Sequence, residues 1–501
     1  MARVRLIEDD ESQLEVRKLI LEQAGHTVVF TGKADAVVMD LHIPSLEAGL
    51  AQIRELSQAG ARICVLSGLV DDLKGRPEEK LVEKILRKPA RTEILLRWLA
   101  AMLILAGLAQ AETLPLNVDK AGEVALALEL SSPGSDWSKE GREAALADVS
   151  IDGGAAQQVM VFDGERPHKY PLWIGKLAAG SHEVRVTRNA QYSAAGSQLK
   201  VLGVRRIDVA DDVLAHAPVL YARKNTIGKF TDIPLIVYAE HLDEGKTLQY
   251  TVIFSNEDGG TATRALMARW GRTTDIEYVY RLDVAANRAI IQGNGHKDIA
   301  YTGAMEGSHP ILIPTTDNNM VGAGETSEIR YQIVPIAVDL THDSRESVMD
   351  RFPWSYRIAA EEMEREGKMG LIGDPRGYLL VETPITNHDS AVAAVARLKS
   401  NGRIYSSNIG REPMAMERDA IVRTTIQLPE GTLPSDVESI GVTCIALTRR
   451  PPTPKAGPCS FGPVVKVFHL DHDYKPVRIP GAWDHAEPTQ LNTGETVLLK
   501  R

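Results

Sequence analysis

Glu8-Asp9-Asp10, Asp40, Ser67 and Lys88-Pro89 each stand at the end of a short apolar run, at residues 4–7, 37–39, 63–66 and 81–86. Carboxylates gathered in one place repel one another, and a hard cation such as Mg2+ relieves that repulsion through oxygen ligands. One carboxylate can then attack a phosphoryl group, while the metal and a lysine offset charge on the transferred oxygens. A hydroxyl alongside can hydrogen-bond the acyl phosphate that forms. The chemistry these residue types suggest is phosphoryl transfer onto an aspartate.

Such a cluster needs elements that bring its members to one edge. Residues 12–24 place Leu14, Leu19, Ile20 and Leu21 at helical spacing and stop at Gly25. Further apolar runs at 28–30, 37–39, 63–66 and 81–86 have helical patterns between most of them. Alternating strand and helix describes a doubly wound parallel sheet covered by helices, and such sheets carry their sites beyond the carboxyl ends of the strands. With these residues in that order, residues 1 to about 100 resemble a response-regulator receiver domain. Glu8-Asp9 match its acidic pair, Asp40 in Val38-Met39-Asp40-Leu41-His42-Ile43-Pro44 its phosphoacceptor, Ser67 its switch hydroxyl and Lys88-Pro89 its Lys-Pro. The resemblance implies Mg2+ held by Glu8, Asp9 and Asp40, a phosphoryl group contacted by Ser67 and Lys88, and a sensor histidine kinase as partner.

Two features depart from the family. Only residues 31–36 separate Phe30 from Val37, whereas a parallel crossover normally takes a dozen or more, so strand two is expected to be displaced or lost from the sheet edge. The glycine that the family carries just past the phosphoacceptor loop falls on Ala48, with Gly49 one place late. Both leave a degenerate receiver as the alternative.

Residues 94–111 interrupt this soluble pattern. Arg87, Lys88, Arg91 and Arg97 precede an apolar run from Trp98 to Ala109, and Ala109-Gln110-Ala111 offers small residues at the positions signal peptidase reads. Three readings stand: a signal anchor with its basic flank in the cytoplasm, a cleaved signal behind an unrelated upstream segment, or the last helix of a soluble domain. The run of about a dozen residues is short against the ~20 that a hydrocarbon core needs. The first two readings place the β region in the cell envelope outside the cytoplasm; the third leaves the whole chain cytoplasmic.

Beyond residue 111 the pattern turns to short strands. Leu248, Tyr250, Val252 and Phe254 alternate ahead of the turn Ser255-Asn256-Glu257-Asp258-Gly259-Gly260, and Gly175 to Gly180 lead into alternating His182, Val184 and Val186. The expected division is a receiver-like domain at 1–93, the apolar segment at 94–111, β-sandwich-like domains at 112–215 and 370–501, and a β-rich domain at 216–340. A helical connector occupies 341–369, where residues 344–366 read as a helix capped by Asp343 or Ser344 and broken at Pro353. Cys444 and Cys459 are the only cysteines past the apolar segment, and a disulfide between them would close the intervening proline-rich loop in an oxidising compartment. Cys64, alone in strand four, reads as a small buried hydrophobe.

Weaker candidates lie in the β region. His469, Asp471 and Asp473 alternate, with His472, Asp484 and His485 nearby, and suggest a metal as one reading against solvated strand ends. Asp258, Asp275 and Glu277 with Arg269 and Arg272 suggest paired carboxylates for glycoside chemistry against an ordinary polar sheet face. Thr315-Thr316-Asp317-Asn318-Asn319 offers oxygens for calcium against plain turn chemistry. The chain of 501 residues carries 57 Lys and Arg against 67 Asp and Glu, a net charge of −10, which disfavours a nucleic-acid partner. The leading function is phosphorelay signalling through Asp40, joined to an exported β region. The alternatives are an envelope protein binding a glycan or another protein with a degenerate receiver, or a carbohydrate-active enzyme in the β region.

Overall fold

The computed structural model describes residues 3–32, 34–59, 61–90, 92, 94–96, 98–99, 111–447, 457–485 and 487–501. The N-terminal part is a five-stranded parallel sheet of β1 (Arg3–Ile7), β2 (Thr27–Val29), β3 (Ala36–Met39), β4 (Arg62–Ser67) and β5 (Lys84–Arg87) in the order β2-β1-β3-β4-β5. This is the doubly wound order in which the strand ends near β1 and β3 form the functional crevice. α1 (Glu11–Gln23) starts where the Asp10 carboxylate accepts from the N–H groups of Ser12 and Gln13, and α2 (Leu46–Gln58) starts at the Ser45 hydroxyl. One face of the sheet packs Val4, Leu6, Val38 and Leu66 against Leu21 of α1; the other packs Val37, Met39 and Val65 against Leu50, Ile53 and Leu56 of α2.

The short crossover does not remove strand two, contrary to the expectation from its length. β2 stays on the edge, paired with β1 from Arg3–Thr27 to Arg5–Val29, and residues 30–35 pass to β3 on the other side. Six extended residues reach about 20 Å, and two strand spacings need only about 10 Å, so the helix is dispensable and the strand is not. Asp35 ends the crossover by clasping Arg3, its N–H on the Arg3 carbonyl and its carboxylate on the Arg3 N–H, each at 2.8 Å. The glycine question resolves on Gly49. A Cβ there would lie 1.8 Å from the Leu41 carbonyl oxygen, so α2 can approach the β3 loop only because that position has no side chain.

Leu95, Trp98 and Leu99 are helical and buried in the same core as Leu21. The receiver-like core thus extends beyond the expected boundary at residue 93; residues 100–110 lie outside the described ones. Among the described residues no helix is long and apolar enough to cross a membrane.

Residues 112–338 are strand-rich, and the boundary expected at 215/216 is not a break in packing. Leu126, Leu128 and Val149 from the first half share one continuous core with Val237, Tyr250 and Val279 from the second. The second half is built on a six-stranded sheet in which Pro234–Leu242, Thr247–Phe254, Asp275–Asp283, Arg288–Gly293 and Lys297–Ala300 run antiparallel in sequence and Pro335–Val338 joins the far edge in parallel. The expected helix at 344–366 appears as Ser347–Asp350 and Trp354–Arg365 on either side of the Phe352-Pro353 break. Ser344 does not cap it: its N–H binds Glu382 instead.

Residues 378–500 form two further sheets whose inner faces, Leu379 and Val381 on one, Val392, Ala394, Ile440 and Val442 on the other, meet in a separate core. Cys444 and Cys459 are disulfide-bonded with Cα atoms 5.7 Å apart. The strands carrying them, Val437–Ala446 and Cys459–Phe461, belong to different sheets; the bond therefore closes the loop and also staples sheet to sheet. Alternate residues of Tyr378–Thr386 turn the other way, so that Leu380 and Glu382 face the central region.

Three outcomes are expected. Gly49→Ala should destabilise the N-terminal sheet by about 3 kcal/mol, since overpacking against a backbone oxygen leaves no rotamer escape; hydrogen exchange of β3 and β4 amides in the full chain should accelerate about a hundredfold. Reduction of the disulfide should cost the C-terminal unit about 3 kcal/mol for a loop of this length, read as a lower calorimetric Tm. Arg423 is fully buried with its guanidinium on Glu382 and Asp350, so Arg423→Met should cost about 3–5 kcal/mol in denaturant unfolding by stranding those carboxylates.

Candidate functional site

At the carboxyl ends of β1, β3, β4 and β5 the structure brings together Glu8, Asp40, Ser67 and Lys88. Lys88 Nζ donates to Asp40 Oδ2 at 2.5 Å and to Glu8 Oε2 at 2.9 Å. The Lys88 backbone is fixed by its N–H on the Ser67 carbonyl at 2.9 Å, which ties the β5 end to β4. The Ser67 hydroxyl stands close enough to the Asp40 carboxylate to favour its ionised form, and the Leu41 N–H donates to Asp40 Oδ1 at 2.6 Å. Partial burial alone would raise the Asp40 pKa, but the hydrogen bond from Lys88, the nearby Ser67 hydroxyl and the lysine charge outweigh it and hold the carboxylate below its ordinary range. A carboxylate held ionised, with a lysine on its oxygens and a hydroxyl beside them, has the electronic requirements of a phosphoryl acceptor.

Sequence reasoning missed Arg17. Nearly two turns into α1, its guanidinium reaches Glu8 and Gln13, so Glu8, whose side chain is only 2% exposed, has its charge answered by Arg17 as well as Lys88. The spacing of Arg17 from Asp10, two turns into a helix capped at the strand end, was the available signal. Asp10 serves as the helix cap, and Asp9 is exposed. Among the described residues no three His, Cys, Asp or Glu side chains converge closely enough to hold a metal. Cys64 lies fully buried in β4, and burial pushes its thiol up to about 12.

The β-region candidates separate. Asp471 accepts from the N–H groups of Asp473 and Lys475 and so forms a turn after the strand Lys466–Leu470, while Asp484 receives Arg478; His469, His472 and these acids do not converge, and the side chain of His485 lies outside the described residues. In the 315–319 turn, Asp317 pairs with Arg223, Thr315 and Thr316 hydrogen-bond within the turn, and Asn319 donates its amide N–H to Asp275 at 3.1 Å, so the oxygens are not gathered around a common point. Asp258 joins Asp232 and Asp317 around Arg223, away from Glu277, and Arg269 reaches the carbonyl of Pro413.

Glu277 and Arg272, by contrast, line a polar cleft of about 710 Å3. Its floor is the solvent-side face of the six-stranded sheet, where a ladder of side chains crosses three strands: Arg281 donates to Gln249 Oε1 at 2.6 and 2.9 Å, and Gln249 donates to Glu240 at 3.1 Å. A bulge at Tyr250/Thr251 opposite Tyr278–Tyr280 keeps Tyr278 beside Thr251 on that face. Arg345 and Glu346 form one wall and residues 418–422 of the C-terminal unit the other. Asp275 lies just beneath, fully buried, and its pKa stands well above the ordinary value through burial and the charges of Glu277 and Glu257. Burial also raises Glu257 and Glu240.

No family model and no curated protein matches this chain. Solved structures similar to it include the receiver domain of a Francisella response regulator (21% identity over 20% of this chain and 96% of that one, TM-score 0.18), a response regulator from Thermotoga maritima (22%, 20% and 95%, 0.18) and a response-regulator receiver protein from Burkholderia phymatum (19%, 20% and 94%, 0.18).

Proposed function

We propose that the N-terminal domain accepts a phosphoryl group on Asp40, donated by a sensor histidine kinase, and that the β region carries the recognition function of the chain. The observation supporting this is the convergence of Asp40, Lys88 and Ser67 at the carboxyl edge of a β2-β1-β3-β4-β5 parallel sheet. In the step itself an Asp40 oxygen attacks phosphorus, the donor leaves with its bonding electrons, and Lys88 shifts from the carboxylate to the phosphoryl oxygens, where the Ser67 hydroxyl joins it. Glu8, Asp9 and Asp40 offer only hard oxygen donors, which suits Mg2+. With Glu8 tied to Arg17 and Lys88, Asp9 and Asp40 would be the residues to hold the ion, with Glu8 supporting them; when bound, it would supply positive charge to the phosphoryl oxygens.

Burial of Leu95, Trp98 and Leu99 in the N-terminal core favours the last-helix reading for residues 94–99, since the same side chains cannot also face lipid. An anchor or signal role would then rest on residues 100–111, fewer than the ~20 that a hydrocarbon core needs. We read the paired sheets of the β region as sandwiches, and an extracytoplasmic location for them remains part of this proposal through the cysteine pair.

Incubated with acetyl phosphate and Mg2+, the full chain should gain one acid-stable, base-labile phosphoryl group. Asp40→Asn should abolish incorporation, and Lys88→Ala should lower its yield while leaving the acceptor in place. A folded wild-type chain that takes up nothing would make the domain a degenerate receiver.

A further inference from the structure

We propose that the polar cleft on the six-stranded sheet binds a saccharide bearing an anionic group, with Arg418 as the residue that receives the anion and Glu240, Gln249 and Glu277 as acceptors and donors for the hydroxyls. The cleft's size falls in the range of small-molecule sites, about 300–1,000 Å3, and it lies between two units of the fold.

The charge distribution selects the ligand. Arg272 and Arg345 both reach Glu346, at 3.3 and 3.4 Å, and their other guanidinium contacts are the backbone carbonyls of Thr274 and Ile276. Arg418, at the cleft mouth just ahead of the strand Ala420–Gln427, hydrogen-bonds no other described residue. The largest influence on it is the like charge of Arg345, which pushes its pKa down against the pull of Glu346 and Glu277. It is the cation of the cleft with no dedicated counter-ion, so an incoming anion relieves a repulsion as well as forming a pair.

The rest of the lining opposes a ligand that is anionic throughout. Glu240, Glu257 and Glu277 would repel a polyphosphate or a nucleotide, and no glycine-rich phosphate cradle is present among the described residues of the lining. Among the described residues Glu240 and Glu257, raised by burial, accept only from the Gln249 amide and the Thr261 N–H respectively, and hydroxyl groups supply further donors without adding charge. Gln249 and Gln292 add amide groups that both donate and accept. One anion with many hydroxyls is the composition of a uronate-type sugar.

Titration calorimetry of the full chain with maltotriose oxidised to a uronate at its terminal C6 only, with unmodified maltotriose and with inorganic phosphate tests this. The mono-uronate should bind, maltotriose at least tenfold more weakly, and phosphate more weakly than either. Arg418→Ala should weaken the mono-uronate about tenfold and leave maltotriose unchanged, Arg418→Lys should restore most of the loss, and Glu240→Gln should weaken both sugars. Because Arg418 is exposed and makes no hydrogen bond to another described residue, its variants should keep the wild-type melting temperature, separating lost binding from lost folding. No binding of the mono-uronate, equal binding of the two sugars, tighter binding of phosphate, or indifference to Arg418→Ala would each overturn the assignment.

Discussion

Arg423 is wholly buried, and the β region is arranged around the need to answer its charge. Its guanidinium donates to Glu382 at 2.7 and 3.0 Å, to Asp350 at 2.8 and 3.0 Å, to the Tyr356 hydroxyl at 2.5 Å and to the Glu346 carbonyl at 3.1 Å. Lys466 adds a second cation on Asp350 at 2.7 Å. A buried charge lacking partners costs several kcal/mol, so these groups must arrive together or not at all. They come from the C-terminal unit on one side and from both helices flanking Pro353 on the other. Satisfying Arg423 therefore fixes how the C-terminal unit docks on the central sheet. The same constraint reaches the cleft, because Glu346 sends its carbonyl to Arg423 and its carboxylate to Arg272 and Arg345. Glu346 itself stays ionised because those three guanidiniums outweigh the effect of its burial.

In the N-terminal domain the ruling constraint is backbone proximity. The Asp40 carboxylate is positioned by a loop that doubles back into α2, and Gly49 sets how closely that helix can approach Leu41. Asp40 needs Lys88 at its oxygens, and Lys88 is held by its N–H on Ser67, so β3, β4 and β5 must be in register before the site exists. The edge strand β2 contributes no site residue. Its crossover could lose a helix without disturbing the chemistry.

These differences explain what could be read in advance. The receiver-like sheet was legible because parallel strands buried on both faces leave continuous apolar runs such as Ile63 to Leu66, with polar residues following each one. The strand at 247–254 was legible because Leu248, Tyr250, Val252 and Phe254 alternate onto a single core. The helix Thr263–Trp270 was not foreseen, although Ala265, Leu266 and Ala268 favour helix and Gly271, at φ 63°, stops it. Its short length and its position after a turn-rich segment hid that signal. Long-range polar pairing was the least legible. Asp258 and Asp275 are 17 positions apart in a polar-looking stretch, yet one answers Arg223 and the other lies beneath Glu277, because the strand starting at Asp275 turns its first residues inward.

The two kinds of sheet also divide the chemistry. A parallel sheet buried on both faces can present reactive groups only at its strand ends, and there the N-terminal domain gathers Glu8, Asp40, Ser67 and Lys88. The antiparallel sheet of the central region has one face in the core, through Val237, Tyr250, Val252 and Val279, and is free to make the other face polar. An open polar face would merely be solvated surface. It becomes a cleft here because the Arg423 network holds residues 418–422 of the C-terminal unit over one side and Arg345 and Glu346 over the other. The interaction that secures the architecture thus also converts the ladder of Glu240, Gln249 and Arg281 from a plain wetted sheet face into the floor of a walled, charged cleft.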